Sequence, residues 1–227
     1  MIKALVFDFD GLILDTELSA LQSWQEVYQV YKRELPLDKW ALCIGSGIDA
    51  FDPHTYLESL LEHSISRDEV APIRLRRHME LIETQVALPG VEDYINAAKR
   101  LGLKIAVASS SPRSWVIGHL TRLGLQDAFD AMKFGDEVSL KKPHPEIYLA
   151  ALDLLGVSAE QAIALEDSPN GVLAAQRAGI FCVAIPNPVT SQLPLDHADM
   201  RLQSLADLPL DQLIALVEDK RAKTLSI

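Results

Sequence analysis

Residues 4–17, Ala-Leu-Val-Phe-Asp-Phe-Asp-Gly-Leu-Ile-Leu-Asp-Thr-Glu, constrain this chain more than any other stretch. The apolar run over residues 2–7, broken only by Lys3, has the length and β-branched content of a strand buried on both faces of a parallel sheet. Asp8 and Asp10 follow it two apart, so at a strand end both lean to one face while Phe9 points to the other. Gly11 comes next, a residue that permits a tight turn and close approach to the backbone. The run therefore predicts a carboxylate pair at the carboxyl edge of a sheet, the edge at which open α/β sheets bind ligands.

Two ionised acids this close repel each other unless a cation lies between them or one keeps a proton. With Mg2+ bound, one can attack phosphorus while its neighbour moves the proton of the leaving or attacking oxygen. Taken alone, the same pair also reads as two acids capping the following turn.

With 227 residues, the chain has material for one large domain, or for a core of about 150 residues with a small insert. A hydrophobic content of 48% supports a packed core. The formal charge is −11, and the only short basic group is Arg74, Arg76 and Arg77, which argues against a nucleic-acid partner. No apolar run approaches the roughly 18 residues of a membrane span, and the apolar start is interrupted by acids, unlike a leader peptide. Cys43 and Cys182 lack metal-ligand spacing, and a free-thiol cytoplasmic protein, monomeric by default, is expected.

Beyond Glu17 the periodicity becomes helical. Leu21, Trp24, Val27, Tyr28 and Tyr31 recur at helix spacing, as do Tyr56, Leu57, Leu60 and Leu61, with a Gly45-Ser46-Gly47-Ile48 turn between them. From residue 88 onward the pattern alternates strand and helix, which argues for parallel βαβ units. Strands are expected over residues 103–108, 131–135, 162–165 and 180–185, with a last one over 200–202.

Three strand ends carry further chemistry. Ser109, Ser110 and Ser111 lie between a strand and a helix start, where hydroxyls and unpaired N–H groups form an oxyanion cradle; Ser111 reads as the helix cap and Pro112 as its first residue. Lys141 and Lys142 precede Pro143, which holds its neighbour extended, and a lysine there offers a point charge for phosphate. Glu166 and Asp167 close another buried strand, with Ser168 and Pro169 opening the next helix. Adjacent acids on a strand face opposite ways, so only one of these two is expected to enter the cavity of Asp8 directly. His144 lies in the lysine loop without ligand spacing to any other histidine.

Asp8-Phe9-Asp10-Gly11 with Asp15-Thr16, then Ser109, then Lys142-Pro143-His144-Pro145, then Glu166-Asp167 resemble, in order, the four motifs of the haloacid dehalogenase superfamily. The first motif is nearest the branch holding β-phosphoglucomutase and small sugar-phosphate phosphatases. The resemblance covers the whole chain. It implies a doubly wound α/β core of residues 1–16 and 85–227, with an all-helical cap of residues 17–84 inserted after the first strand. It further implies that Asp8 is the nucleophile and Asp10 the acid and base. Ser109, with Ser110 beside it, and Lys142 would bind the phosphoryl group, while Mg2+ would be held by Asp8, Asp167 and the Asp10 carbonyl, with Glu166 in its outer shell. The cap turn at Gly45 and Ser46 and the arginines Arg74, Arg76 and Arg77 would choose the substrate. The implied activity is a phosphatase acting on a small phosphate ester through an aspartyl phosphate. A phosphosugar mutase is the alternative, disfavoured because the cap turn lacks an arginine and no histidine follows Asp15-Thr16. A silent phospho-accepting or binding protein is a third reading, which the acid at position 10 opposes.

Overall fold

The computed structural model describes residues 1–44, 51–61 and 63–224. Six strands form one parallel sheet in the order β3-β2-β1-β4-β5-β6. They are β1 (Ala4–Phe7), β2 (Lys104–Ser109), β3 (Ala131–Phe134), β4 (Ala162–Glu166), β5 (Phe181–Ala184) and β6 (Met200–Arg201). All five expected strands after the first are present, each within two residues of its predicted ends.

β1 is central, and every one of its residues is buried. Its neighbours are β2 on one side, with Phe7 opposite Val107, and β4 on the other, with Phe7 opposite Leu165. After β1 the chain fills one half of the sheet through β3 and then crosses to the other half. The crevice at the carboxyl ends of β1 and β4 is therefore the switch point of the topology, where such sheets hold ligands.

Alternation along the strands builds two unlike faces. Leu5, Phe7, Ile105, Val107, Ile163, Leu165 and Val183 face one layer, where the helices Val91–Arg100, Arg113–Arg122 and Leu210–Thr224 pack. Ala4, Val6, Ala106, Ala108, Ala162, Ala164 and Ala184 face the other. That face is nearly all alanine, so the helices Glu146–Leu155 and Pro169–Arg177 can settle close to the backbone and bring Tyr148 in full burial under the sheet edge.

Between β1 and β2 lie the helices Thr16–Val30, Leu37–Trp40, Pro53–Leu61 and Arg67–Glu83. Asp15 caps the first, accepting from the Leu18 N–H at 3.0 Å. The insert has an apolar cluster of its own around Leu21, Tyr28, Trp40, Leu57 and Val70. The periodic aromatics of the sequence thus serve chiefly as packing. Val189 and Leu193, from the segment after β5, join the same cluster.

Two local readings need correction. The helix expected to start at Pro112 with Ser111 as its cap begins at Arg113, with Pro112 extended before it and no side-chain cap. The alternation expected for Glu166 and Asp167 fails as well: β4 ends at Glu166, so Asp167 already lies in a turn, and both carboxylates enter the crevice of Asp8.

Candidate active site

Asp8 stands one residue past β1 and donates its backbone N–H to the Leu165 carbonyl at 2.9 Å, which fixes it beside the end of β4. There, carboxylate oxygens of Asp8, Glu166 and Asp167 lie within 4.8 Å of one another, all three residues buried. The cation among them is Lys142. Its Nζ donates to Asp8 Oδ1 at 2.5 Å, to Glu166 Oε1 at 2.6 Å and to the Ala108 carbonyl at 2.9 Å, using all three of its hydrogens. Burial alone would lower the Lys142 ammonium, but Asp8 and Glu166 hold it well above the ordinary lysine value. Lys141, by contrast, is exposed.

Glu166 is fully saturated by the protein. Oε1 accepts from Lys142 and from the Tyr148 hydroxyl at 2.8 Å; Oε2 accepts from the N–H groups of Asp167 and Ser168 and from Ser168 Oγ. Burial, reinforced by Glu166, keeps the Tyr148 hydroxyl protonated and hence a donor. The carboxylate is also walled in from below: a Cβ on Gly171 would lie 1.9 Å from Glu166 Oε1. Gly171→Ala is therefore expected to cost about 1–3 kcal/mol, since the buried carboxylate cannot swing away without breaking its hydrogen bonds. A urea midpoint equal to that of the parent would contradict this.

Asp8 and Asp167 each keep one oxygen free. Asp8 Oδ1 faces Lys142 and Asp167 Oδ2 accepts from Asn187 Nδ2 at 2.8 Å, while Asp8 Oδ2 and Asp167 Oδ1 accept no hydrogen bond among the described residues. Burial pushes both carboxyls well above the ordinary aspartate range; for Asp8 the Lys142 charge opposes this and Glu166 adds to it, and for Asp167 Asp8 and Glu166 add to it. Three buried carboxylates against one buried ammonium leave an excess of two negative charges if all ionise. Oxygen donors of this kind with two free lone-pair sites fit a hard divalent cation.

Asp10 follows on the other side of the crevice, and four donors converge on it. Oδ1 accepts from Thr16 Oγ1 and Trp115 Nε1, both at 2.9 Å; Oδ2 accepts from Ser111 Oγ at 2.7 Å and Ser109 Oγ at 3.2 Å. Ser111, read as a helix cap, is thus a partner of Asp10. Ser109 also accepts from the Ser111 N–H at 3.1 Å and is fully buried at the tip of β2. The buried Oγ of Ser110 has no partner among the described residues, and its backbone lies against Gly135.

Gly11 is required where it stands. Its φ is +81°, and a Cβ there would sit 2.3 Å from Asp167 Oδ2 and 2.5 Å from Asn187 Nδ2.

The insert reaches this site through His78, whose ring packs 5.6 Å from that of Trp115, the donor to Asp10. Arg74 Nη1 lies 3.3 Å from His78 Nδ1, and the guanidinium lies over Trp24. Burial and the Arg74 charge push the His78 imidazole down to about 4, so it is neutral at pH 7. Of the three arginines singled out in the sequence, Arg74 is the one joined to this chain of contacts. Arg77 is bound to Glu26 and Glu80 on the insert surface, and Arg76 is exposed. Gly45 and Ser46 lie outside the described residues. His144 is exposed beside Glu146, away from the crevice carboxylates.

Sequence reasoning missed Thr16, Ser111, Trp115, Tyr148 and Asn187 as members of the site. Position offered one signal: Asn187 follows β5 at the same sheet edge that carries Asp8, Ser109 and Glu166.

The chain is similar to known proteins over most of its length. A family model described as haloacid dehalogenase-like hydrolase matches residues 5–185. The chain is 46% identical over 214 residues to "Putative phosphatase YhcW" of Bacillus subtilis, covering 94% of this chain and 97% of that one. It is 33% identical over 221 residues to hexitol phosphatase B of Escherichia coli, with the same coverage. The crystal structure of CbbY from Rhodobacter sphaeroides in complex with phosphate superposes with a TM-score of 0.73 at 30% identity, covering 94% of this chain and all of that one. Among the described residues no helix is long and apolar enough to cross a membrane. The match of that family model to residues 5–185, most of the chain, means that this protein belongs to the haloacid dehalogenase-like hydrolase family.

Proposed function

We propose that the protein is a Mg2+-dependent phosphomonoesterase for a small phosphorylated metabolite of the sugar or polyol phosphate kind, working through an aspartyl phosphate. The observation that carries this reading is the buried set of Asp8, Lys142, Glu166 and Asp167, with one unclaimed oxygen on each aspartate. The name of one relative, hexitol phosphatase B, supports the substrate class. Its buried free thiol, Cys182, suits a reducing cytoplasm.

One carboxylate oxygen of Asp8 attacks phosphorus, forming an oxygen–phosphorus bond as the ester bond breaks, and Asp10 in its protonated form gives its proton to the departing alkoxide. Asp10 then takes a proton from water, whose oxygen attacks phosphorus, releasing inorganic phosphate and restoring the Asp8 carboxylate. Lys142 supplies positive charge to the phosphoryl oxygens and Ser109 a donor once its hydroxyl turns from Asp10, the larger part of what phosphoryl transfer asks of a protein. Asp8, Asp167 and the Asp10 carbonyl would hold the Mg2+, and Glu166, with both oxygens occupied, would act on it from outside by fixing Lys142. When bound, the ion supplies positive charge to the transferring group. Of Arg74, Arg76 and Arg77, Arg74 is the one placed to meet the rest of the substrate, because His78 ties it to the Trp115 side of the crevice.

Phosphate release from sugar phosphates, polyol phosphates and p-nitrophenyl phosphate tests the reading. Release with Mg2+ is expected to fall at least about 100-fold with EDTA and to return when Mg2+ is restored. Release insensitive to chelation would overturn the metal assignment. Absence of release, with β-glucose 1-phosphate converted to the 6-phosphate once a bisphosphate primer is added, would make the protein a mutase.

A further inference from the structure

Beyond β5 the chain leaves the sheet through Ile185, whose N–H donates to the Glu166 carbonyl at 2.6 Å, and turns sharply at Asn187. The Asn187 amide is used on both sides. Its Oδ1 accepts from the N–H groups of Val189 and Thr190, each at 2.9 Å, while its Nδ2 donates to Asp167 Oδ2 at 2.8 Å and reaches the Gly11 carbonyl at 3.3 Å. Thr190 Oγ1 accepts from the Asn187 N–H at 3.0 Å and is itself fully buried. These contacts leave one orientation for the amide, since a flip would set its oxygen against a carboxylate and its NH2 group against two N–H donors.

The turn uses only Oδ1. The NH2 group does something the turn does not need: it claims one of the two otherwise equivalent oxygens of Asp167 and leaves Oδ1 aimed into the crevice. Asn187 is 6% exposed, and the Gly11 backbone closes over the Asn187–Asp167 bond so tightly that no side chain would fit there. We propose that Asn187 is a positioning residue for the metal site, whose amide holds Asp167 in the rotamer that presents Oδ1 to the cation. This inference rests on the metal reading above. Outer groups that orient a ligating carboxylate typically change metal affinity about 10–100-fold when removed.

The test is Mg2+ binding by calorimetry to the full chain without substrate, so that turnover is not the readout. Asn187→Ala and Asn187→Ser are compared with Thr190→Val. Serine keeps an acceptor for the Val189 and Thr190 N–H groups but is too short to reach Asp167. Thr190→Val removes the hydroxyl that the turn uses and keeps the amide donor. Both Asn187 variants are expected to bind Mg2+ about 10–100-fold more weakly, with kcat recovering at high Mg2+, and Thr190→Val to stay within about twofold of the parent. Should the alanine variant not fold, the serine variant decides. Folded Asn187 variants with parental Mg2+ affinity would overturn the inference alone, as would a Thr190→Val loss equal to theirs. A parent that binds no Mg2+ would overturn the metal reading, and this inference with it.

Discussion

Replacing Asp8 with asparagine is expected to lower phosphate release by more than about 10^3-fold, because the amide has no anionic oxygen with which to attack phosphorus. The same change should not weaken the metal-free protein. Burial raises the Asp8 carboxyl, so the folded state binds this proton more tightly than the unfolded chain does. At pH values above the ordinary aspartate range, that mismatch costs stability, and the cost grows until the pH passes the raised folded value. Asparagine removes it, while Lys142 keeps Glu166 and the Ala108 carbonyl as partners. Urea unfolding in EDTA at pH 7 should therefore give a midpoint at or above that of the parent. Retention of more than about 1% of turnover would sink the nucleophile assignment. A lowered midpoint would instead show that the Lys142 ion pair outweighs the burial of Asp8.

Lys142→Met is the opposite case. Methionine fills the volume of the lysine stem but removes the cation that Asp8 and Glu166 share, stranding two carboxylates that are 6% and 0% exposed. Breaking a buried pair by deleting one partner costs about 3–5 kcal/mol, a large fraction of the stability of an ordinary domain. Turnover should disappear with it, since no charge remains to bridge nucleophile and phosphate. The deficit should depend on pH in a definite sense. Without the lysine, nothing opposes the burial that raises the Asp8 carboxyl, so the folded protein binds that proton more tightly than the unfolded chain and takes it up as pH falls. The variant is expected to lie closest to the parent near pH 5 and furthest from it near pH 8. A pH-independent gap, or none, would show that Lys142 is not the principal counter-charge.

How much of this was legible in the sequence depends on the range of the interaction. Asp8, Ser109, Lys142 and Asp167 each sit at or just past a strand end or beside a proline turn, and a parallel sheet brings such positions to one edge whatever the details of packing. The strand pattern was readable for the same reason. Ser111 was misread because a serine before a proline has a local use as a cap, whereas its actual partner, Asp10, is 101 residues away. Trp115 and Tyr148 look like the apolar stripes of their helices, and only assembly of the layers reveals that each spends its polar atom on a crevice carboxylate. Glu166 and Asp167 broke the alternation rule because it holds only while the chain remains a strand. Arg77 was drawn off by Glu26, 51 residues earlier, a pairing that charge patterning within one helix does not show.

The sharing of Val189 and Leu193 with the apolar cluster of the insert bears on how such proteins can be recombined. A chimera that exchanges only the stretch between β1 and β2 would transplant the helices but leave behind two of the side chains they close upon, one of them 2% exposed. The seam of a workable graft therefore runs through the segment after β5 as well. Residues 189–193 would have to travel with the donor helices, or be redesigned to match them, although residues 84–188 separate the two pieces in the chain.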